Sequence, residues 1–294
     1  MQRFFILFFS VCKIFTIKCS ENIWRGLAFG IICLFFISEK TIAQHSPFPF
    51  SLADVYPLMS PPFSLEEHPA ISVDTGTGLV LGLFSQIRYI KENNKSGLSF
   101  AFKRKNQAFG VHYNFSGFSL YHRHEIGFSY SRIFWRNFRA GLNLSYEQGN
   151  RIENRSGDAF LNLNFSCAYR LKKNWRMAFS LKYPFVLSAS DKKIWSKALY
   201  LRLGVAYRIT EDLAIGVDVS KDMRYPIQAT LGISYFIKRL ILIYGSTSIY
   251  PFINTVGIAY ASPHFDIGLS GSYQSPLGFC AHISLVWKSS LNLR

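Results

Sequence analysis

The chain has 294 residues, a length that fits one large domain or two small ones. Aromatic residues form 17 % of the chain and charged residues another 17 %, which favours a strand-rich protein over a helical one. A soluble domain would have to bury this many rings, whereas a barrel in lipid can expose them. The net charge of +16 would suit nucleic-acid binding, but the Lys and Arg residues collect in predicted turns rather than in one module, so we predict no nucleic-acid partner.

Two apolar stretches open the chain, at 4–17 and 27–37, and neither reaches the roughly 18 to 20 residues of a membrane-spanning helix. The second stretch has a basic flank, an apolar core and a small-residue exit at Thr41-Ile42-Ala43. This pattern predicts a signal peptide over residues 1–43, cleaved before Gln44. The first stretch then belongs to a long n-region or reflects an upstream start codon, and the alternative is an uncleaved anchor.

A proline-rich segment, residues 44–77, separates the predicted signal peptide from the first predicted strand. Its prolines interrupt any β-ladder, so the segment cannot form a regular strand. It is either a linker or a plug whose apolar side chains pack inside a barrel formed by residues 78–294, and we predict the plug. The apolar plug candidates are Phe48, Phe50, Phe63 and Leu65.

From residue 78 onward the sequence falls into runs of about ten residues, in which apolar and polar positions alternate and turn residues separate the runs. This pattern is typical of an all-β transmembrane antiparallel barrel, here of about 14 strands. An even number of strands returns both ends of the barrel to the periplasm. The predicted strands are 78–90, 95–104, 106–116, 120–134, 137–149, 157–171, 174–186, 197–209, 212–222, 226–237, 239–250, 252–261, 263–274 and 278–288.

The eighth run shows the alternation clearly, with Leu201, Leu203 and Val205 on one face and Arg202 and Gly204 on the other. In a soluble β-sandwich, the alternative fold, the apolar face would form the core. In a membrane barrel the apolar face meets lipid, so we expect Leu203 to point outward and Gly204 inward. Sandwich strands average about five or six residues, which is shorter than these runs. The same alternation predicts an outer face in the seventh run formed by Trp175, Met177, Phe179, Leu181 and Tyr183.

The connections between runs also favour a barrel. Those after even-numbered runs are tight, as at Trp135-Arg136 and Lys172-Lys173, and those after odd-numbered runs are mostly longer, as at 148–156 and 187–196. Outer-membrane barrels have short periplasmic turns, so we predict that the longer connections face outside the cell. Aromatic residues flank both sets of connections and predict two girdles at the membrane interfaces. The first girdle comprises Phe134, Trp135, Phe138, Tyr169, Trp175, Tyr207, Phe236, Tyr260, Phe265 and Trp287, and the second Tyr89, Tyr121, Tyr146, Phe185, Tyr225, Tyr250 and Tyr273.

Short motifs in both halves of the chain resemble one family of bacterial proteins. Ala53-Asp54-Val55-Tyr56 and the stretch from Phe63 to Ala70 are similar to the N-terminal segment of Bacteroidetes outer-membrane barrels related to the FadL-like and PorV/PorQ-like proteins. His68-Pro69-Ala70 stands where that family has Asn-Pro-Ala, and His bonds its own turn backbone less readily than Asn. Leu203-Gly204-Val205-Ala206-Tyr207 is similar to a strand of the same family. The resemblance implies a fourteen-stranded barrel whose plug includes His68, Pro69 and Ala70.

No catalytic motif is present in the sequence: it has no Gly-rich phosphate loop, no nucleophile elbow and no paired-cysteine metal spacing. Cys167 and Cys280, the cysteines beyond the signal peptide, are predicted to be small lipid-facing or core residues. His122 and His124 share a strand face and could hold a metal, but beside an outer loop they more readily face water or headgroups. We therefore predict a protein that is not an enzyme and has no cofactor or bound metal.

Charged residues diluted by Gly, Ser and Asn occupy the inward positions of the predicted strands. The lumen-lining candidates are Arg139, Glu147, Arg176, Lys182, Arg202, Arg208 and Asp218. These charges either pair across the lumen and close it, or line a cationic passage.

Two functions fit such a barrel in outer-membrane lipid. A FadL-like barrel would pass or bind a small apolar or anionic molecule. A PorV/PorQ-like accessory barrel would hold a secreted or surface protein and conduct no solute.

Overall fold

The computed structural model describes residues 65–74, 78–88, 94–118, 121–151, 158–188, 197–275 and 277–289. The predicted signal peptide and the plug candidates Phe48, Phe50 and Phe63 lie outside these ranges, as does Tyr89 of the second predicted girdle. Among the described residues, no helix is long and apolar enough to cross a membrane.

Fourteen antiparallel strands form one closed barrel, because each strand pairs with its sequence neighbours and β1 pairs with β14. The predicted fold is confirmed in this respect, and every predicted strand matches an observed one within a few residues. The strands are β1 Gly78–Arg88, β2 Lys95–Arg104, β3 Gln107–Gly117, β4 Tyr121–Trp135, β5 Phe138–Arg151, β6 Asp158–Arg170, β7 Trp175–Ser188, β8 Tyr200–Arg208, β9 Leu213–Asp222, β10 Gln228–Ile237, β11 Ile241–Ile249, β12 Ile253–Ala261, β13 Phe265–Gln274 and β14 Gly278–Ser289.

The two faces of the strands differ in polarity, and the apolar face is the exposed one. In β12, Val256 and Ile258 are exposed on the outer surface, whereas Thr255, directly before Val256, is only 4 % exposed on the inside. Closure of the barrel satisfies the backbone hydrogen bonds of all strands and leaves no open sheet edge. A soluble sandwich would bury its apolar face, so the observed polarity excludes that alternative and suits a lipid bilayer.

Aromatic side chains are exposed near both ends of the barrel. Trp135 and Trp287 mark the end with the short turns, and Phe185 and Tyr250 mark the opposite end. Two of the described girdle residues face inward, contrary to the prediction. The Tyr121 hydroxyl accepts a hydrogen bond from Arg123, which pairs with the inward Glu147. In β10, Phe236 is only 7 % exposed and packs inside the barrel. Its inner position follows from the alternation of β10, which directs its neighbours along the strand outward. Phe236 belongs to an inner apolar cluster with Leu242 and alanines 206, 214, 259 and 261.

A bulge interrupts the alternation of β7. The pairing register between β6 and β7 shifts between Leu163, which pairs with Phe185, and Asn164, which pairs with Lys182. At this point Tyr183 adopts a φ of 60°, and its backbone N–H donates to the Asn164 side-chain oxygen at 3.2 Å. The Lys197 ammonium lies 4.5 Å from the centre of the Tyr183 ring. Because Lys197 also bonds the inward-facing Glu147, the prediction that Tyr183 continues the outer face of β7 is wrong.

Candidate functional site

Residues 65–74, hereafter the inner segment, lie inside the barrel against the inner faces of β2 to β6. The segment contains a short 3₁₀ helix, Pro69–Asp74, and its Leu65, Ile71 and Val73 side chains are almost completely buried. The Ile71 N–H donates to the His68 carbonyl at 3.0 Å, which is the first hydrogen bond of this helix. Pro69 has no N–H and cannot join a strand ladder, so the segment packs on the wall without extending it.

Two inner-face glycines make room for the segment. A Cβ atom added at Gly141 would lie 2.5 Å from the Ala70 nitrogen and 2.7 Å from the Pro69 carbonyl carbon. A Cβ atom at Gly110 would lie 2.8 Å from the Leu65 methyl groups. The missing side chains therefore allow the segment to approach the wall at distances that any other residue would block. The sequence analysis missed both glycines, although an isolated Gly inside a strand is a signal for such a close approach.

Wall side chains bond the backbone of the inner segment, so its polar groups do not remain unpaired in the interior. Three wall donors reach carbonyls and one wall hydroxyl accepts from an amide. The bonds are Asn143 Nδ2 to Leu65 O (3.1 Å), Asn164 Nδ2 to Glu66 O (3.4 Å), Ser180 Oγ to Glu67 O (2.7 Å) and Ala70 N to Ser166 Oγ (2.8 Å).

Glu66 and Glu67 bring together basic side chains from three strands. Glu66 pairs with Lys95 of β2 at 3.0 Å and with Lys182 of β7 at 3.5 Å. Glu67 lies 3.9 Å from Lys182 and 3.4 Å from Arg202 of β8. Lys182 is 2 % exposed and Arg202 is 5 % exposed, so both cations are buried and need these carboxylates.

Further polar groups complete this network. The Asn114 amide donates to the Glu66 carboxylate at 3.0 Å, and Arg202 pairs with the buried Asp218 at 3.0 Å. Burial by itself would raise the pKa of the Glu66 carboxyl, but the charges of Lys95 and Lys182 outweigh it and hold that pKa well below its usual range. Glu66 is therefore ionised at neutral pH.

The eight wall residues that bond the inner segment are hereafter the charged wall. They are Lys95, Asn114, Asn143, Asn164, Ser166, Ser180, Lys182 and Arg202.

All seven lumen-lining candidates occupy inward positions, but they do not form one group. Lys182, Arg202 and Asp218 belong to the network around the inner segment. Glu147 belongs to a second pairing, with Arg123 at 2.9 Å and with Lys197. The remaining candidates lie towards the short turns: Arg139, Arg176 and Arg208.

A pocket of about 670 Å³ opens at the end of the barrel with the short turns. Arg208 lines it together with Lys173 and Arg239, and Ile209 and Phe236 contribute the apolar part of its lining. The Arg239 guanidinium is paired with Glu211 at this rim. The pocket therefore combines apolar and charged groups, and it lies away from the charged wall.

Four plug candidates fall in the inner segment and are buried: Leu65, His68, Pro69 and Ala70. Glu66 and Glu67 stand in the sequence only as part of a family motif, and their pairing was not predicted. Lys95 was also missed, since a lysine at the start of a strand reads equally well as a solvated turn residue.

The histidines take two different positions. His112 is buried on the inside and lies 3.7 Å from Glu125. His122 and His124 lie on the other face, where the His122 ring stacks on Phe115 and the His124 ring stacks on Tyr113, whose hydroxyl bonds His124 at 2.7 Å. Within the described part of the chain, no group of three or more His, Cys, Asp or Glu side chains is arranged to hold a metal.

The inner surface of β10 to β13 differs from the charged wall. Its inward positions carry mainly small neutral side chains, and we refer to these residues as the hydroxyl wall. They are Thr230, Gly232, Ser234, Ser246, Ser248, Thr255, Gly257, Ser270 and Ser272. In the described residues, the Ser234 and Thr255 hydroxyls are buried without a hydrogen-bond partner.

No known family model matches the sequence, and no curated protein matches it. Solved structures do match the fold. The CymD monoaromatic hydrocarbon channel has a TM-score of 0.60 and 13 % identity, with 77 % of this chain and 92 % of that chain covered. The Pseudomonas putida toluene transporter TodX has a TM-score of 0.56, 12 % identity and coverages of 77 % and 94 %. The Ralstonia pickettii toluene transporter TbuX has a TM-score of 0.54, 11 % identity and coverages of 76 % and 92 %.

The chain is an outer-membrane β-barrel. Its closed sheet and apolar exterior agree with the fold of these channels, and its predicted location in the bacterial outer membrane is confirmed. The finer resemblance to Bacteroidetes proteins and to PorV/PorQ-like barrels finds no support in these comparisons.

Proposed function

We propose that this barrel is a non-enzymatic outer-membrane channel that passes or binds a small apolar or anionic molecule, with the inner segment as part of an N-terminal plug. The observation that carries the proposal is the inner segment itself, which is buried between Gly110, Gly141 and the charged wall. A segment held by side-chain contacts on one wall can leave without breaking the closed strand ladder.

The two classes of solute rest on different observations. The neighbours in fold are named as hydrocarbon channels and toluene transporters, which supports an apolar solute. The buried Lys182 and Arg202 support an anionic one, because inward cations favour anions in a lumen. No observation on the described residues favours the accessory-barrel alternative.

Deletion of residues 46–74 tests the proposal. The barrel without this segment should still fold, since its strands satisfy their own hydrogen bonds, and it should conduct more than the intact protein. Folding is checked by heat-modifiable gel mobility, and conductance is measured in planar bilayers. Swelling of proteoliposomes in arabinose gives a second measure of passage.

The intact barrel and urea-unfolded protein, reconstituted at the same protein-to-lipid ratio, serve as controls. A folded truncation whose conductance and swelling rate equal those of the intact barrel would overturn the proposed plug. In that case the lumen would be closed by wall side chains such as Arg139 and Glu147.

A further inference from the structure

The three cations of the charged wall outnumber the two carboxylates that neighbouring wall residues supply. Lys95, Lys182 and Arg202 converge on the inner segment, whereas Asp218 and Glu125 are the wall carboxylates beside them. Arg202 is paired with Asp218, and Glu125 lies against His112. If the inner segment left, the wall would keep buried positive charge without a partner, which is costly in an interior of low polarity.

Two carboxylates of the inner segment fill this position in the structure. Glu66 accepts from Lys95 and from the Asn114 amide on one oxygen, and its other oxygen lies 3.5 Å from Lys182. Glu67 reaches Arg202 at 3.4 Å. Ammonium, guanidinium and amide donors therefore surround two adjacent carboxylates, and charge-assisted bonds of this kind are the strong class of hydrogen bond.

We propose that the charged wall is a binding site for a small dicarboxylate, which Glu66 and Glu67 occupy as an internal substitute. Two adjacent acidic side chains match two carboxylates of one molecule. The site rests on the proposed function, because a solute must reach the lumen when the inner segment withdraws. The internal carboxylates compete at a high effective concentration, so the intact protein binds external anions weakly.

The double variant Glu66→Ala/Glu67→Ala makes the site accessible to test. The two alanines remove the side chains that fill the site and the negative charge that balances Lys95 and Lys182. Succinate is the probe, because a ligand that binds only the folded state raises the unfolding temperature. We expect succinate to raise the unfolding temperature of the double variant in detergent by several degrees, and to leave that of the intact protein unchanged.

Three controls make the result specific. Sodium chloride at equal ionic strength measures screening, succinamide supplies the same shape without charge, and acetate supplies a single carboxylate. The quadruple variant that adds Lys95→Gln and Lys182→Gln removes two of the cations and should lose the response to succinate. If the double variant does not fold, Glu67→Ala alone leaves Glu66 paired and should give a smaller shift.

The outcomes separate this proposal from the proposed channel. A succinate shift no larger than the chloride or succinamide shift would overturn the site, and an equal shift with acetate would overturn the dicarboxylate class. Neither result depends on conductance. Conversely, a barrel that responds to succinate but whose 46–74 deletion passes no arabinose would keep the binding site and overturn the channel.

Discussion

The charged wall and the hydroxyl wall both bury polar side chains inside the barrel, but the two walls differ in how these side chains are paired. Lys182 and Ser180 on the charged wall are bonded to the inner segment, whereas Ser234 and Thr255 on the hydroxyl wall are small, uncharged and without a partner among the described residues. A charge must be paired when it is buried, but a lone hydroxyl costs much less. The comparison teaches that the inner segment is needed on one side of the lumen only.

The largest expected effect tests the premise that both walls face inward. Leu203 is exposed on the outer surface of β8, next to the inward Arg202 and Gly204. Leu203→Arg should destabilise the folded barrel by about 2 to 4 kcal/mol, because it places a cation in the hydrocarbon region. Reversible unfolding in bilayers measures the change, with Leu203→Met as the apolar control. A loss below about 0.5 kcal/mol would contradict the outward assignment.

The next effect compares a glycine under the inner segment with one that faces the lumen elsewhere. Gly141→Ala drives a methyl group into the backbone of Pro69 and Ala70, and overpacking of this kind costs about 1 to 3 kcal/mol. Gly268→Ala, on the inner face of β13, meets only the Ser284 hydroxyl, which can rotate away. Cleavage of the segment after Glu66 and Glu67 by a glutamate-specific endoprotease and the unfolding midpoint should change in the first variant and stay constant in the second. Equal behaviour of the two variants would mean that the segment does not rest on Gly141.

A smaller effect is expected when a serine is replaced by alanine, and its size should differ between the two walls. Ser180→Ala removes the hydrogen bond to the Glu67 carbonyl and should cost about 1 kcal/mol of unfolding free energy. Ser234→Ala removes a hydroxyl that has no partner in the described residues, so its cost should be close to zero. Urea unfolding of both variants under identical conditions measures the difference. The comparison of the walls fails if Ser234→Ala proves as costly as Ser180→Ala.

The smallest effect concerns Thr255. Thr255→Val keeps the shape of the side chain and removes a buried hydroxyl that makes no bond within the described ranges. Stability should stay within about 0.5 kcal/mol of the intact barrel or rise slightly, since an unpaired buried hydroxyl is unfavourable. The unfolding midpoint in urea measures this change in stability. A clear loss would show that Thr255 bonds a group in the lumen.

The strands could be predicted because alternation with a period of two is a local signal, and β8 and β12 carry it almost without interruption. Local signals failed where both faces are apolar or where the register changes. Phe236 directly precedes a short turn and looks like a girdle residue, and only the phase of β10 shows that it points inward. The bulge at Tyr183 depends on the Asn164 side chain, which belongs to another strand.

The candidate site could be predicted only in part, for a related reason. Lys182, Arg202 and Asp218 stand at inward positions of their strands, so alternation identifies them. Their pairing with Glu66 and Glu67 joins residues that are far apart in the chain, and no spacing in the sequence encodes it. The family resemblance identified the segment around His68 and Pro69 but gave no indication of its charges.

The position of the inner segment in the chain has a consequence for folding. The segment precedes β1, yet its partners are spread from β2 to β8, and the bond between Glu67 and Arg202 spans 135 residues. Contacts between residues so distant in sequence form slowly, because the intervening chain must be ordered first. We therefore expect its full set of contacts to form late, after β8 has joined the sheet. A fully docked segment would therefore indicate that β1 to β8, more than half of the barrel, have assembled in the correct register.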